Sequence, residues 1–499
     1  MTNKIALVPV DARPVTYDMP VALGDIAEWN VLVPDKEILG YLKQPADLDI
    51  LFEWLNTVAS EVSGIVASLD MVLYGGLVPS RINTDDAATI KKRLNKFLEL
   101  KNKKPDLKLM LFSSTMRISN NYVNIEEKEY WSEYGEEIWA LSYYSHRYEQ
   151  LQNPEDLARS KKAEEKIPSA IRNDYLETRE RNFQINLSLF ELLEPYNIDL
   201  LVFPQDDTSE FGYNIKEQQQ LKEIIRQKNL YDQVLIYPGA DEVASLLIAR
   251  MIYTLEDKSF PTFYPVYSGH KGMSIVARYE DRTIDESVKG QVFALGSHMV
   301  ESVQEADVLL GVNVPGEQQG EIALQQSLNQ VDTNNRNVGE WIRKLHYYSQ
   351  LGKKIAIIDV AYANGADVAM MPQLLKKFTL SDLVGFAAWN TAGNTIGTVV
   401  AQAALILLAK EKGLSITEKK EKLLLLRVLD DYIYQSQVRQ TVRQAIQEEK
   451  LSKTELLETV AKHFYPTAQQ FIESLQVNTK LDAIYLPWDR TFEIGIRLK

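Results

Sequence analysis

The stretch FPQDDTSEFG, residues 203–212, sets Asp206 and Asp207 side by side directly after the apolar run IDLLVF. Two adjacent carboxylates repel each other, so a pair at a strand end must share a proton, hold a cation or meet a positive partner. The next apolar run ends in PGADE, which presents Asp241 and Glu242 at a helix start. Acids in this arrangement suit general acid–base work, with one carboxyl donating a proton and another acting as base or nucleophile. One member of each pair is expected to face a cleft. The other is expected to cap Thr208 or an adjacent helix start.

Other polar residues follow apolar runs in the same way. Asp11 stands in VDARP, and Asp70 and Tyr74 stand in SLDMVLYGG, while Arg13, Arg81 and Arg117 supply counter-charge. Several carboxylates beside several arginines fit acid–base chemistry on a neutral polyhydroxylated substrate, or recognition of an anionic one. In LETRERNFQINLSLFELLE the buried stripe is Phe183, Leu187, Phe190 and Leu193. Arg179, Asn182 and Asn186 recur at i, i+3 and i+7, so they share a neighbouring helix face. That face is either solvated or abuts the cleft, where it would bind sugar hydroxyls or fix the aspartates.

The run AAWNTAGNTIGT, residues 387–398, offers Trp389, Asn390 and Asn394 as binding residues. It has the outline of a phosphate-cradling loop at a helix start. It lacks the lysine of a Walker loop and the GxGxxG spacing of a dinucleotide site, and its Asn and Thr residues could equally satisfy one another as caps and turns. DVAYANGAD adds Asp359, Asn364 and Asp367 as a second polar edge. The five histidines form no zinc motif and there is no cysteine, so no metal ligand is named. No organic cofactor is expected. A bound metal would be an oxygen-ligated divalent ion, magnesium, manganese or calcium.

The elements that must position these residues are short apolar runs alternating with amphipathic segments, the pattern of an α/β protein with parallel sheets. Strands are expected at residues 5–10, 64–68, 107–112, 200–203, 233–237, 307–312, 354–359 and 383–388. The spacing predicts a barrel-like α/β domain over residues 1–260, with an aromatic and acidic insertion at about 120–168. A Rossmann-like open α/β domain follows over 261–412. A helical region with a closing strand, in FEIGIRL, completes the chain over 413–499. The insertion carries YWSEYGEEIWALSYYSHRY, read either as aromatics packed on the core or as a lid or platform for sugar rings.

Composition bounds the partners. The 499 residues carry 55 Lys+Arg against 69 Asp+Glu, a formal charge of −14, which argues against nucleic acid and anionic membranes as partners. The N-terminal apolar run is too short for a signal-peptide core, so a cytoplasmic protein is expected. The apolar tract near residues 398–409 reads as a buried core helix. Nothing in the sequence speaks to oligomeric state.

The ordered set VPVDARPV, SLDMVLYGGLVPSR, STMR, RERNFQIN, PQDD followed by a glycine, PGADEVASLLIAR, AWNTAGNTIGT and PWDRTFE resembles the bacterial family of unknown function DUF4127, over nearly the whole chain. The resemblance implies a family without an established activity, so no catalytic assignment comes with it. The residues themselves point to a glycoside hydrolase acting on a carbohydrate-like substrate. The alternatives are a metal-dependent hydrolase or isomerase using the same acids, and a sugar-binding or regulatory protein without catalysis.

Overall fold

The computed structural model describes residues 3–447, 451–475 and 477–499. The chain divides into two compact units. The first comprises residues 1–12, 30–247 and 279–281, and the second comprises 13–29, 248–278 and 282–499.

The first unit is built on a parallel sheet of β1 (Lys4–Val8), β2 (Asn30–Leu32), β3 (Gly64–Ser68), β4 (Lys108–Phe112), β5 (Leu200–Gln205) and β6 (Val234–Pro238), in the order β2-β1-β3-β4-β5-β6. KIALV, GIVAS, KLMLF and LLVFPQ are apolar on both alternating faces and almost wholly buried, as parallel strands covered by helices on both sides must be. Backbone pairs such as Ile5↔Gly64, Gly64↔Lys108 and Leu201↔Val234 fix the register. The expected barrel closure is not shown. The order ends in β2 at one edge and β6 at the other, with no pairing between them, so the sheet is open. A strand–helix alternation specifies parallel neighbours but not whether the last meets the first, and the three-residue β2 makes a short outer edge.

The insertion after β4 forms the helices Trp131–Leu151, Pro154–Lys166 and Ser169–Leu189. Trp131, Ile138, Leu141, Ala163, Ile167 and Tyr175 pack as their own apolar cluster.

The second unit holds a four-stranded parallel sheet of β7 (Phe263–Tyr267), β8 (Val308–Asn313), β10 (Lys354–Asp359) and β12 (Leu383–Ala387), in the order β12-β10-β8-β7. Two short pairs accompany it: parallel β9 (Gly320–Glu321) with β11 (Tyr362–Ala363), and antiparallel β13 (Leu481–Tyr485) with β14 (Gly495–Leu498). The helix Ala392–Glu411 is long and apolar enough to cross a membrane, but 94% of its apolar window is buried inside the protein. It follows β12 as a core helix. A ten-residue π-helical stretch, Leu429–Val438, interrupts the helical C-terminal region.

Candidate active site

The carboxyl ends of β4, β5 and β6 are laced together. Gln205 closes β5, donating from Nε2 to Thr115 Oγ1 at 3.0 Å, and its carbonyl accepts the N–H of Gly239 at 3.0 Å. Two residues on, Asp207 takes a φ of +40°, a conformation side-chain-bearing residues rarely adopt. This breaks the strand's alternation, and both aspartates meet one guanidinium. Arg117 Nη1 lies 3.1 Å from Asp207 Oδ2 and 3.6 Å from Asp206 Oδ2. The expectation that one of the two serves as a cap is therefore corrected. Thr208 N donates to the Tyr279 carbonyl, and the helix Tyr213–Lys228 starts from Gly212 without a side-chain cap.

Arg81 is brought to Asp206 by two short helices after β3. The helix Leu69–Tyr74 ends at Gly75 (φ +85°) and Gly76 (φ +137°), which turn the chain into the short helix Leu77–Ile82. A Cβ on Gly75 would lie 2.7 Å from that of Pro45, so only glycine fits this close approach. Arg81, 1% exposed, donates from Nη2 to Asp206 Oδ2 at 2.7 Å, and its Nη1 reaches Glu126 Oε2 at 3.2 Å and Glu127 Oε1 at 3.4 Å. Arg117 closes the network, with Nε 2.9 Å from Glu127 Oε1 and Nη2 3.1 Å from Glu126 Oε2. Two guanidinium groups are thus interleaved with four carboxylates.

Four acids against two arginines leave an excess of negative charge in a poorly hydrated place. Burial first, and repulsion from Asp206 next, push the Asp207 carboxyl up to about 7, against the pull of Arg117. Its side chain is still 29% exposed, so its proton can exchange with solvent. Burial works against the charge of Arg117, but the four surrounding carboxylates overcome it and raise its pKa well above the ordinary value. Asp70 accepts the Ser114 N–H at 3.0 Å, and burial pushes it up to about 6, opposed by its Ser114 bonds and by Arg81.

The helix Ser169–Leu189 braces this edge. Asn182 Nδ2 donates to the Ser80 carbonyl at 2.8 Å, next to Arg81. Asn186 accepts from Ser113 Oγ at 2.6 Å and donates to the Ser114 carbonyl at 3.3 Å, next to the N–H that binds Asp70. Arg179 is engaged by Glu217, with Nε and Nη2 2.6 and 2.9 Å from its two oxygens, and by Tyr175. Tyr74 is buried, with the Arg181 guanidinium carbon 5.7 Å from its ring centroid. Asp241 and Glu242 are buried at the end of β6, where the Glu242 carboxylate fills the space a Cβ on Gly239 would need. Asp11 is buried after β1. Acids therefore follow β1, β3, β5 and β6. At about 4.8 Å per strand the outermost are some 19 Å apart, so they share one edge without forming one contact set.

The remaining sequence candidates lie in the second unit. The guanidinium carbon of Arg13 is 4.6 Å from the Trp488 ring centroid. Trp389, Thr391, Asn394, Thr395 and Thr398 satisfy one another: Thr395 Oγ1 donates to the Trp389 carbonyl at 2.7 Å, and Asn394 Nδ2 to Thr391 Oγ1 at 3.1 Å. Asn390 sits at φ +54°. After β8 and β10, Asn313 bridges Asp359 (2.9 Å) and Asp367 (3.1 Å), and Arg336 pairs with Asp367 at 2.7 Å.

Sequence reasoning did not single out Glu126, Glu127 or Glu217. The first two lie in the IEEKE run, where charge reads as solvated surface, and Glu217 is one acid on an amphipathic helix. Among the described residues no group of three or more His, Asp or Glu is arranged to hold a metal ion.

The fold and this edge define an α/β protein of parallel sheets that gathers arginine-bracketed carboxylates at strand ends. The chain belongs to the DUF4127 family, described as a protein of unknown function, whose model matches residues 5–497. No curated protein matches the chain.

Proposed function

We propose that the first unit is an acid–base hydrolase that cleaves a glycosidic bond, with Asp207 as the proton-exchanging group. The observation that carries this reading is the Asp207 carboxyl, held near neutrality at a strand end beside an Asp206 that is ion-paired with Arg81. Two neighbouring carboxyl groups in unlike environments take unlike roles, which is how an acid and a base are separated at one pH. Asp207 would protonate the leaving oxygen. Asp241 or Glu242, one strand away, would supply the carboxylate that attacks the anomeric carbon or activates water. β5 and β6 are adjacent, so these acids follow neighbouring strands whose backbones lie about 4.8 Å apart. Such hydrolysis asks for no organic cofactor and no metal, and the acidic composition suits an enzyme working on a small carbohydrate-like substrate rather than on nucleic acid.

A panel of aryl glycosides at pH 5 to 8 tests the reading. Asp207→Asn is expected to lower kcat by about 10²- to 10⁴-fold on any substrate the native enzyme turns over, with the protein still folded. Native-like turnover in that variant would remove Asp207 from the mechanism.

A further inference from the structure

The loop that carries Asp206 and Asp207 runs into the helix Tyr213–Lys228, whose first residue follows Gly212. Gly212 lies at φ +147°, a conformation that favours glycine, and glycine has no side chain with which to cap. The first N–H groups of this helix therefore need acceptors from elsewhere. They find them on the helix Trp131–Leu151 of the insertion. Gly212 N–H donates to His146 Nδ1 at 3.1 Å, and Tyr213 N–H donates to Ser142 Oγ at 2.7 Å. Ser142 and His146 stand at i and i+4, so they share one face of that helix. Phe211 completes the contact, its ring centroid 5.7 Å from that of Tyr143 and 5.8 Å from that of His146, edge to face.

This attachment closes one end of the Asp207 loop. At the other end Gln205 is tied to Thr115 and Gly239, and between them Thr208 N–H donates to the Tyr279 carbonyl at 2.9 Å. The His146 bond differs from the others because its acceptor can take up a proton. Nδ1 accepts here, which assigns the ring proton of the neutral histidine to Nε2. A second proton can enter only at Nδ1, where it would meet the Gly212 N–H and break the bond. His146 is 1% exposed and faces the positive end of the helix Tyr213–Lys228, and both conditions favour the neutral ring. Burial lowers its pKa below the ordinary histidine value, against the Gln219 side chain and Glu149, with Lys216 adding to the fall. The charges around it are engaged or open to water: Glu149 pairs with Lys216 at 2.8 Å and Arg147 with Asp156 at 3.4 Å, while Glu210 of the loop is exposed. Burial pushes Tyr143 and Tyr213 up, so both stay neutral. Among the described residues no carboxylate pairs with the ring.

We propose that His146 positions the Asp207 loop and does so only while its ring is neutral, so that the helical insertion is a clamp that acid releases. The inference rests on the hydrolase reading and names the regulation of that site. His146 acts through the Gly212 backbone rather than on the substrate, which makes it a positioning residue. Asp207 carries its proton below about 7, and His146 is neutral above its own lowered value, so the site is competent in the window between the two.

Hydrogen exchange of the full-length protein, read by mass spectrometry on peptides spanning residues 206–213 and corrected for the intrinsic rate, tests the clamp without a substrate. Between about pH 7.5 and pH 5, protection of the native segment should fall about tenfold, the scale of one hydrogen bond. His146→Asn puts an amide oxygen near the place of Nδ1 and does not titrate, so its protection should be the same at both pH values. Asp207 and Glu217 titrate in both proteins and cancel in this comparison. His146→Leu removes the acceptor and should be poorly protected at both pH values with its thermal transition retained; if that variant does not fold, the asparagine comparison decides. Native protection that is unchanged in acid, or that falls equally in His146→Asn, overturns the proposal, as does native protection in a folded His146→Leu. On an aryl glycoside that the native enzyme cleaves, His146→Asn should keep its turnover further into acid than the native protein does. An identical acid limb in the two would overturn the regulatory part. If no glycoside is cleaved, the hydrolase reading fails by itself, and the exchange measurement still decides whether His146 holds the loop.

Discussion

Asp207→Asn should make the protein more stable at neutral pH by an amount that vanishes in acid. In the folded protein the carboxyl is raised from 3.8 to about 7, by burial and then by Asp206, with Glu126 adding to the rise and Arg117 and Arg81 opposing it. A rise of about three units is worth at most some 4 kcal/mol. The 29% exposure of the side chain and the sharing of one proton among neighbouring acids reduce this to an expected 1–2 kcal/mol, on the order of magnitude that such sites give. Because the folded state binds this proton more tightly than the unfolded chain, the native protein loses stability as pH climbs from about 4 to 7, and the loss is complete above that window. Asparagine does not titrate, and its oxygen can still accept from Arg117 Nη1. Urea unfolding of both proteins at pH 4.5 and pH 8 isolates the effect, since Asp70, Glu217, Asp359 and Asp431, also raised, titrate in both and cancel in the difference. A difference that stays constant with pH, or a variant less stable at pH 8, would refute the charge-excess account of this cluster.

Two further substitutions probe the scaffold. Arg179→Leu leaves the Glu217 carboxylate buried without its cation, so a loss of about 3–5 kcal/mol is expected, and Arg179→Leu with Glu217→Leu should recover most of it; thermal melts of the single and double variants decide. Gly239→Ala places a Cβ against the Glu242 carboxylate at φ +101°, and it should cost about 1–3 kcal/mol and shift Glu242, which unfolding and turnover measured together would reveal.

The strands of both sheets were legible where an apolar run ended in a turn. Runs expected at eight places correspond to β1, β3, β4, β5, β6, β8, β10 and β12. β7, FYPVY, was hidden because Pro265 reads as a breaker, yet it is an edge strand, where a missing N–H is tolerated. Sheet closure was not legible, since it depends on which strands become edges. At the site, Arg81 and Arg117 could be named because they follow strands, whereas Glu126 and Glu127 come from a connecting loop that local pattern cannot place. The π-helical stretch left only a faint trace. Arg427 stands four residues before Asp431, a spacing that reads as an exposed helical pair, yet Asp431 is completely buried and its carboxylate accepts the Ala388 N–H at 2.7 Å.

Three of the arginine-bracketed acid groups hold more carboxylates than cations, and access to solvent separates clamps from chemistry. Arg336 and Asp367 pair with no exposed side-chain surface, and Asn313 ties both Asp367 and Asp359 to the end of β8, so that group fastens a loop to the second sheet. Arg427 with Asp430 and Asp431 secures the π-helical stretch to the end of β12. Around Arg81 and Arg117 the carboxylates outnumber the cations by two, and Asp207 opens to solvent. Burial and a neighbouring carboxylate lift Asp359 and Asp431 to about 7 as well, but both are sealed from water, so their protons have no route out. A site that must take up and release a proton near neutral pH needs both a raised carboxyl and a path to solvent, and of these three groups the one around Asp207 has both.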